Sequence, residues 1–235
     1  PLEWGADIVT HSTTKYMDGH GSAVGGAIVD GGNFDWAAHA DKFPGLTQPD
    51  PSYHNLVYAD TFGNGGAFIT KATVQLMRDF GSIQSPQSAF YLNLGLESLH
   101  VRMAQHCKNG QAVAEALVNN PKVAHVSYPG LPGDKYYELA QKYLPNGSCG
   151  VITVDVAGGR EAAEKFLGNL KVFSIATHVA DARSCCLHPA SSTHRQLTDE
   201  ELVAAGITPG TVRLSCGIEG TEDLINDVEQ ALAAL

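Results

Sequence analysis

Between Pro86 and Pro121 one apolar stripe, Leu92, Leu96, Leu99, Met103, Cys107, Gly110, Val113 and Leu117, recurs at three- and four-residue spacing without a break. That spacing is one face of an α-helix, with Pro86 suited to its first turn and Pro121 unable to continue it. A helix of about nine turns is too long for a simple sandwich or barrel and has to act as a spine for other elements. Around it, short β-rich runs alternate with helical patterns. Strands are expected at 7–13, 27–29, 123–128, 150–156, 172–175, 185–187 and 211–216, and helices at 135–143, 160–170, 199–205 and 222–235. Phe68, Ala72, Leu76 and Phe80 mark one face of a further helix that Gly81 ends. This alternation places the chain in the α/β class. Residues 34–65, with Pro44, Pro49 and Pro51 and no sustained period, read as a long loop, functional or an interface arm.

Composition removes several functions. With 43% apolar, 17% charged and 8% aromatic residues over 235 positions, the chain is globular rather than disordered or fibrous. Fifteen Lys and Arg against 25 Asp and Glu leave a net charge of -10, so no bulk basic face is available for phosphates and nucleic acid is not an expected partner. No apolar run approaches the ~20 residues that cross a bilayer, so no membrane is expected either. Five cysteines, odd in number and without C-x-x-C spacing, suit a reducing, cytoplasmic setting. Ten histidines lack H-E-x-x-H or comparable spacing, and no metal site is expected. The chain opens on Pro1 rather than Met, and reads as the later part of a longer protein.

Chemistry concentrates where the first strand ends. His11-Ser12-Thr13-Thr14-Lys15 delivers hydroxyls and an ammonium beside Gly19, Gly21, Gly25 and Gly26, whose backbone adopts angles other residues resist. Hydroxyls and an ammonium there suit a phosphate. A lysine amine also attacks carbonyls, the more readily when burial disfavours its charge. The same segment also fits a solvated lysine after a strand. On the strand at 211–216, alternation sends Val212, Leu214 and Cys216 one way and Thr211, Arg213 and Ser215 the other, so Arg213 leaves the apolar face.

Ser12-x-Thr14-Lys15-Tyr16 followed by Gly19-His20-Gly21 and Gly25-Gly26 resembles the cofactor-lysine segment of the Cys/Met-metabolism family of pyridoxal 5'-phosphate (PLP) enzymes. Further ordered matches are Gly95-Leu96-Glu97-Ser98-Leu99 with Arg102-Met103, Tyr128-Pro129-Gly130-Leu131, His188-Pro189-Ala190-Ser191, and Val212 through Glu219. The insertion around 43–63, Ile28-Val29-Asp30-Gly31-Gly32 and Thr208-Pro209 resemble its O-acetylhomoserine sulfhydrylase subgroup.

The resemblance implies the aminotransferase-like PLP fold (fold type I): residues 1–98 finish the large cofactor domain and 99–235 form the smaller C-terminal α/β domain. It makes Lys15 the catalytic lysine that carries PLP, puts Ser12 and Thr14 on the cofactor phosphate, and sets Arg213 against the substrate α-carboxylate, where a planar fork fits best. The implied reaction is γ-replacement on O-acetyl-L-homoserine by sulfide or a thiol, giving homocysteine or methionine and acetate, in a homotetramer. Alternatives are cystathionine γ-synthase or methionine or cystathionine γ-lyase activity on the same scaffold, or a non-catalytic fragment acting as an oligomer partner. Two positions depart from the family pattern. His178 stands where Ser or Asn is usual, either touching a ligand or repacking locally, and Ala180 stands where Gly is usual. Cys185 and Cys186 replace aliphatic residues and read as small core hydrophobes.

Overall fold

The first two expected strands form an antiparallel pair, β1 (Ile8–Ser12) and β2 (Gly26–Asp30), in a computed structural model that describes residues 1–235. They belong to the first of two compact units, Pro1–Thr13 with Val24–Phe90. The stretch read as a long loop holds more helix than its sequence shows: α1 (Pro44–Thr47), two three-residue 3-10 turns, and the start of α2 (Tyr58–Lys71). Such pieces are too short to display a period. Gly63, at φ 62° and ψ -172°, breaks α2, so the residues before it do not share the register of those after it. Asp50 caps the second 3-10 turn through Ser52 N and pairs with Lys71 at 2.8 Å. Trp36, Leu46, Tyr58 and Ala67 form the buried centre of this unit.

The Phe68-to-Phe80 face is helical throughout but is not one continuous buried stripe. A π-helical stretch, Ala72–Met77, separates α2 from α3 (Arg78–Phe80), and Leu76 and Phe80 are exposed. Gly81 ends it at φ 69°, as expected.

The long helix is α4 (Pro86–Val118). From Tyr91 onward it belongs to the second unit, Thr14–Ala23 with Tyr91–Leu235. There β3 (Val123–Ser127), α5 (Tyr137–Tyr143), β4 (Val151–Val156), α6 (Gly159–Asn169), β5 (Ser174–Ile175), β6 (Cys185–Leu187), α7 (Asp199–Ala204), β7 (Thr211–Ser215) and α8 (Thr221–Ala233) follow in order. The sheet runs β3-β4-β7-β6-β5, antiparallel except for the parallel β5–β6 pair. Ile152, Val154 and Val156 alternate into the core from β4, and Val212 and Leu214 do so from β7. Val113 and Leu117 of α4, Phe166 of α6, and Leu224, Val228 and Leu232 of α8 complete that core. Each such side chain contributes about 1.5–3 kcal/mol by leaving water.

β5 is shorter than its β-rich sequence suggests. The amides of Lys171, Val172 and Phe173 donate instead to the buried Asp227 carboxylate, at 2.8, 2.8 and 3.1 Å, so this stretch is pinned to α8 before a ladder can begin. Cys185 and Cys186 are buried free thiols, and only Cys186 joins the apolar core. No helix is long and apolar enough to cross a membrane.

Candidate active site around Lys15

After Ser12 the chain leaves β1. Thr13 N donates to Gly25 O at 3.0 Å. Between these residues, 14–23 group with the second unit, and their path is set by Arg102 on α4. This guanidinium, only 4% exposed, donates to Tyr16 O at 2.9 Å, Met17 O at 3.4 Å, Gly95 O at 2.7 Å and Ser98 Oγ at 3.1 Å. Charge-assisted bonds to carbonyls recover the solvation lost on burial. Two glycines permit the approach. A Cβ on Gly19, itself at φ +73°, would come within 2.1 Å of Arg102 Nη1, and one on Gly95 within 2.3 Å of Asp18 O.

The loop is also braced from within. Asp18 accepts Ser22 N at 2.9 Å, Ser22 Oγ at 2.5 Å and His20 N at 3.3 Å. Burial alone would raise this carboxyl, but those bonds hold it below the usual range. Tyr16 OH accepts Gly150 N at 3.0 Å, and its ring meets His106 edge-on with centroids 5.0 Å apart. His106 is fully buried on α4, bonds Cys216 O through Nδ1 at 2.7 Å, and leaves Nε2 without a partner. A carbonyl only accepts, so Nδ1 carries the proton and the ring is neutral, in keeping with a burial-lowered pKa.

Lys15 is half-buried on this braced loop. Its Nζ lies 3.5 Å from His178 Nδ1, and it makes no ion pair with a carboxylate. On the far side of the imidazole, Nε2 is 3.6 Å from Asp181 Oδ2. Burial first, then the Lys15 charge, lowers the His178 pKa. Asp181 is buried and accepts Arg183 N at 2.9 Å and Nε at 3.2 Å; although burial would raise it, Arg183 holds it below the usual carboxylate range. His178 and Asp181 line a cleft of about 160 Å³ with Ser174, Ala176, Ser184 and Cys185. Ala180 adopts φ 68°, which explains why glycine suits this position; its amide donates to Ser215 Oγ at 2.9 Å.

Arg213 stands on β7 away from the core, and its Nη2 donates to Thr177 O and His178 O at 3.1 Å each. Lys15 and Arg213 therefore meet the same residue, one at the His178 ring and the other at its carbonyl. Ser12 ends β1 exposed and Thr14 is half-buried. Three residues of chain keep Ser12 within about 11 Å of Lys15. Within the second unit, an amine free of carboxylates, the Thr14 hydroxyl next to it in sequence and an arginine with uncommitted donors form a set suited to an aldehyde-bearing phosphate and an amino acid.

Sequence reasoning quoted Arg102 within a family match but gave it no role, and passed over His106 and Asp181. The matched block at 95–103 and a histidine four residues after its arginine, beside an apolar stripe, were the available signal for the first two. Asp181 had none, because its partner His178 gains meaning only through Lys15, 163 positions away.

Known proteins agree with the motif reading. An O-acetyl-L-homoserine sulfhydrylase of Leptospira meyeri is 48% identical over 240 residues, covering 99% of this chain and 54% of that protein. O-acetyl-L-homoserine sulfhydrylase 1 of Thermus thermophilus is 46% identical over 99% of this chain and 55% of its own. The crystal structure of a Campylobacter jejuni protein assigned as an O-acetylhomoserine (thiol)-lyase, which contains N'-pyridoxyl-lysine-5'-monophosphate, superposes with a TM-score of 0.90 at 35% identity, over 99% of this chain and 55% of that one. The chain spans about half the length of the curated relatives it matches. Its architecture is the aminotransferase-like fold of type I PLP enzymes. With residues 1–233 matched by the model of the Cys/Met metabolism PLP-dependent enzymes, and with the lysine, glycine and arginine blocks in order along the chain, the protein belongs to that family.

Proposed function

We propose that the whole protein catalyses PLP-dependent γ-replacement on O-acetyl-L-homoserine, with sulfide or a thiol entering and acetate leaving, to give homocysteine or methionine. The observation that carries this reading is near-complete coverage of the chain by O-acetylhomoserine sulfhydrylases at 46–48% identity. On this reading residues 1–98 are the end of the cofactor domain and 99–235 the small domain, and the working form is a cytoplasmic homotetramer.

Lys15 would hold PLP through its amine, with the Ser12 and Thr14 hydroxyls on the phosphate. Bound there, PLP supplies the electron sink that makes the substrate Cα–H acidic. The Lys15 amine would move protons between the substrate's Cα and Cβ as general base. Arg213 grips the α-carboxylate. Its Nη2 is anchored on two backbone carbonyls, so the fork is already oriented and little freedom is lost on binding. Arg213→Lys should chiefly raise the amino-acid KM, because a single ammonium cannot reproduce a two-point contact.

The test is product analysis on the complete, PLP-loaded protein with O-acetylhomoserine, with and without sulfide. Homocysteine and acetate formed only with sulfide is the expected result. Sulfide-independent release of a 2-oxo acid and ammonia would reassign the enzyme to γ-elimination.

A further inference from the structure

We propose that His178 is the positioning residue for Lys15: its Nδ1 accepts from the Lys15 amine and receives the proton that amine must lose to act as nucleophile or base. The inference rests on Lys15 being the cofactor lysine.

Four observations converge. The Lys15 amine has one hydrogen-bond neighbour, His178 Nδ1 at 3.5 Å, a length typical of catalytic contacts before a ligand tightens them. The opposite ring nitrogen, Nε2, has no hydrogen-bond partner, and the Asp181 carboxylate 3.6 Å away draws the ring proton to that side by its charge, which leaves the Nδ1 lone pair on the Lys15 side. The backbone of His178 is held as well, its carbonyl taking Arg213 Nη2 at 3.1 Å and the Cys185 thiol at 3.1 Å. Gly21 leaves the room: a Cβ there would lie 3.0 Å from Asp181 Oδ2 and 3.5 Å from His178 Nε2.

In the transfer, one N–H bond of the Lys15 ammonium breaks and leaves its electron pair on Nζ. The Nδ1 lone pair takes the proton, and the charge then rests on an imidazolium opposite Asp181. The charged and titratable groups around the ring are Lys15 and Asp18 from the loop and Asp181, Arg183, Cys185 and Arg213 from the second unit's sheet side. Lys15 opposes imidazolium formation only while it is itself charged, and the transfer removes that charge; burial and Arg183 still oppose the imidazolium, while Asp181 and Asp18 favour it.

The experiment follows the His178 imidazole by ¹H–¹³C NMR across pH in the complete, cofactor-free protein, with His178→Asn identifying the signal. Lys15→Met should move the His178 midpoint upward and Asp181→Asn should move it downward. A midpoint unmoved by Lys15→Met overturns the proposal. In the PLP-loaded protein, His178→Gln should lower kcat by about 100-fold with little change in the amino-acid KM, and an unchanged kcat likewise overturns it. Borohydride reduction of the holoprotein keeps the two readings apart. A label away from Lys15 defeats the cofactor assignment, whereas the NMR coupling between Lys15 and His178 is read without cofactor.

Discussion

In the second unit five strands share one core with α4, α6 and α8, whereas the first unit sets a two-stranded ladder beside α2 and buries Trp36, Leu46, Tyr58 and Ala67 as its apolar centre. Val24, Phe80 and Ile83 of the first unit are 85, 79 and 78% exposed. The second unit spends its interior differently, enclosing Arg102, His106, Asn109 and Asp227 with hydrogen-bond partners for each. Buried polar groups demand fixed geometry, because a partner lost is a desolvation cost left uncompensated. Lys15, His178 and Arg213 all hang from that unit. The comparison teaches that the position of the lysine is set less by the strand it follows than by the polar interior that clamps its loop.

Peptide-resolved hydrogen exchange, which reads each unit separately, can break or sharpen this contrast. The largest effect should come from Phe166→Ala, which empties the centre of the second core and should cost about 3–5 kcal/mol of protection there. Asp227→Ala follows, at about 1–3 kcal/mol, because three backbone amides lose their acceptor; protection should fall first around 171–173. Loss spread evenly over both units in either variant would contradict the division.

A smaller effect concerns pH. His106 is buried neutral with a lowered pKa, so the unfolded chain binds a proton that the folded one does not between the ordinary histidine value near 6.5 and the lower folded one. Its contribution is fully present above pH ~6.5 and is lost as pH falls through that window, at up to about 1.4 kcal/mol per unit. His106→Gln should flatten the acid slope of the second unit's protection, and a slope equal to the wild type's would remove His106 as its source. Least of all, Phe80→Ser, on an exposed side chain, should change first-unit protection by no more than about 0.5 kcal/mol.

The order of strands and helices was legible because Leu92 to Leu117, Ile152 to Val156 and Val212 to Cys216 carry clean periods. Helix between 34 and 65 was not, since three- and four-residue turns lack a period and Gly63 resets the register of α2. The apolar stripe located α4 but misjudged its inner face. Leu96 is exposed, while Arg102, His106 and Asn109 point inward, where hydrogen bonds rather than hydropathy decide burial. Lys15, Ser12, Thr14 and Arg213 came from ordered motifs. The contact of Lys15 with His178 required the fold, for nothing local at residue 178 refers to residue 15.

The central claim, that Lys15 carries the cofactor, is tested most directly by reducing the complete, PLP-loaded protein with borohydride and mapping the modified peptide. A phosphopyridoxyl group at close to one per chain, on the peptide containing Lys15 and absent from Lys15→Ala, is the predicted result. The same stoichiometric label on another lysine, or O-acetylhomoserine turnover by Lys15→Ala within about tenfold of wild type, a barrier change of only ~1.4 kcal/mol, would contradict it.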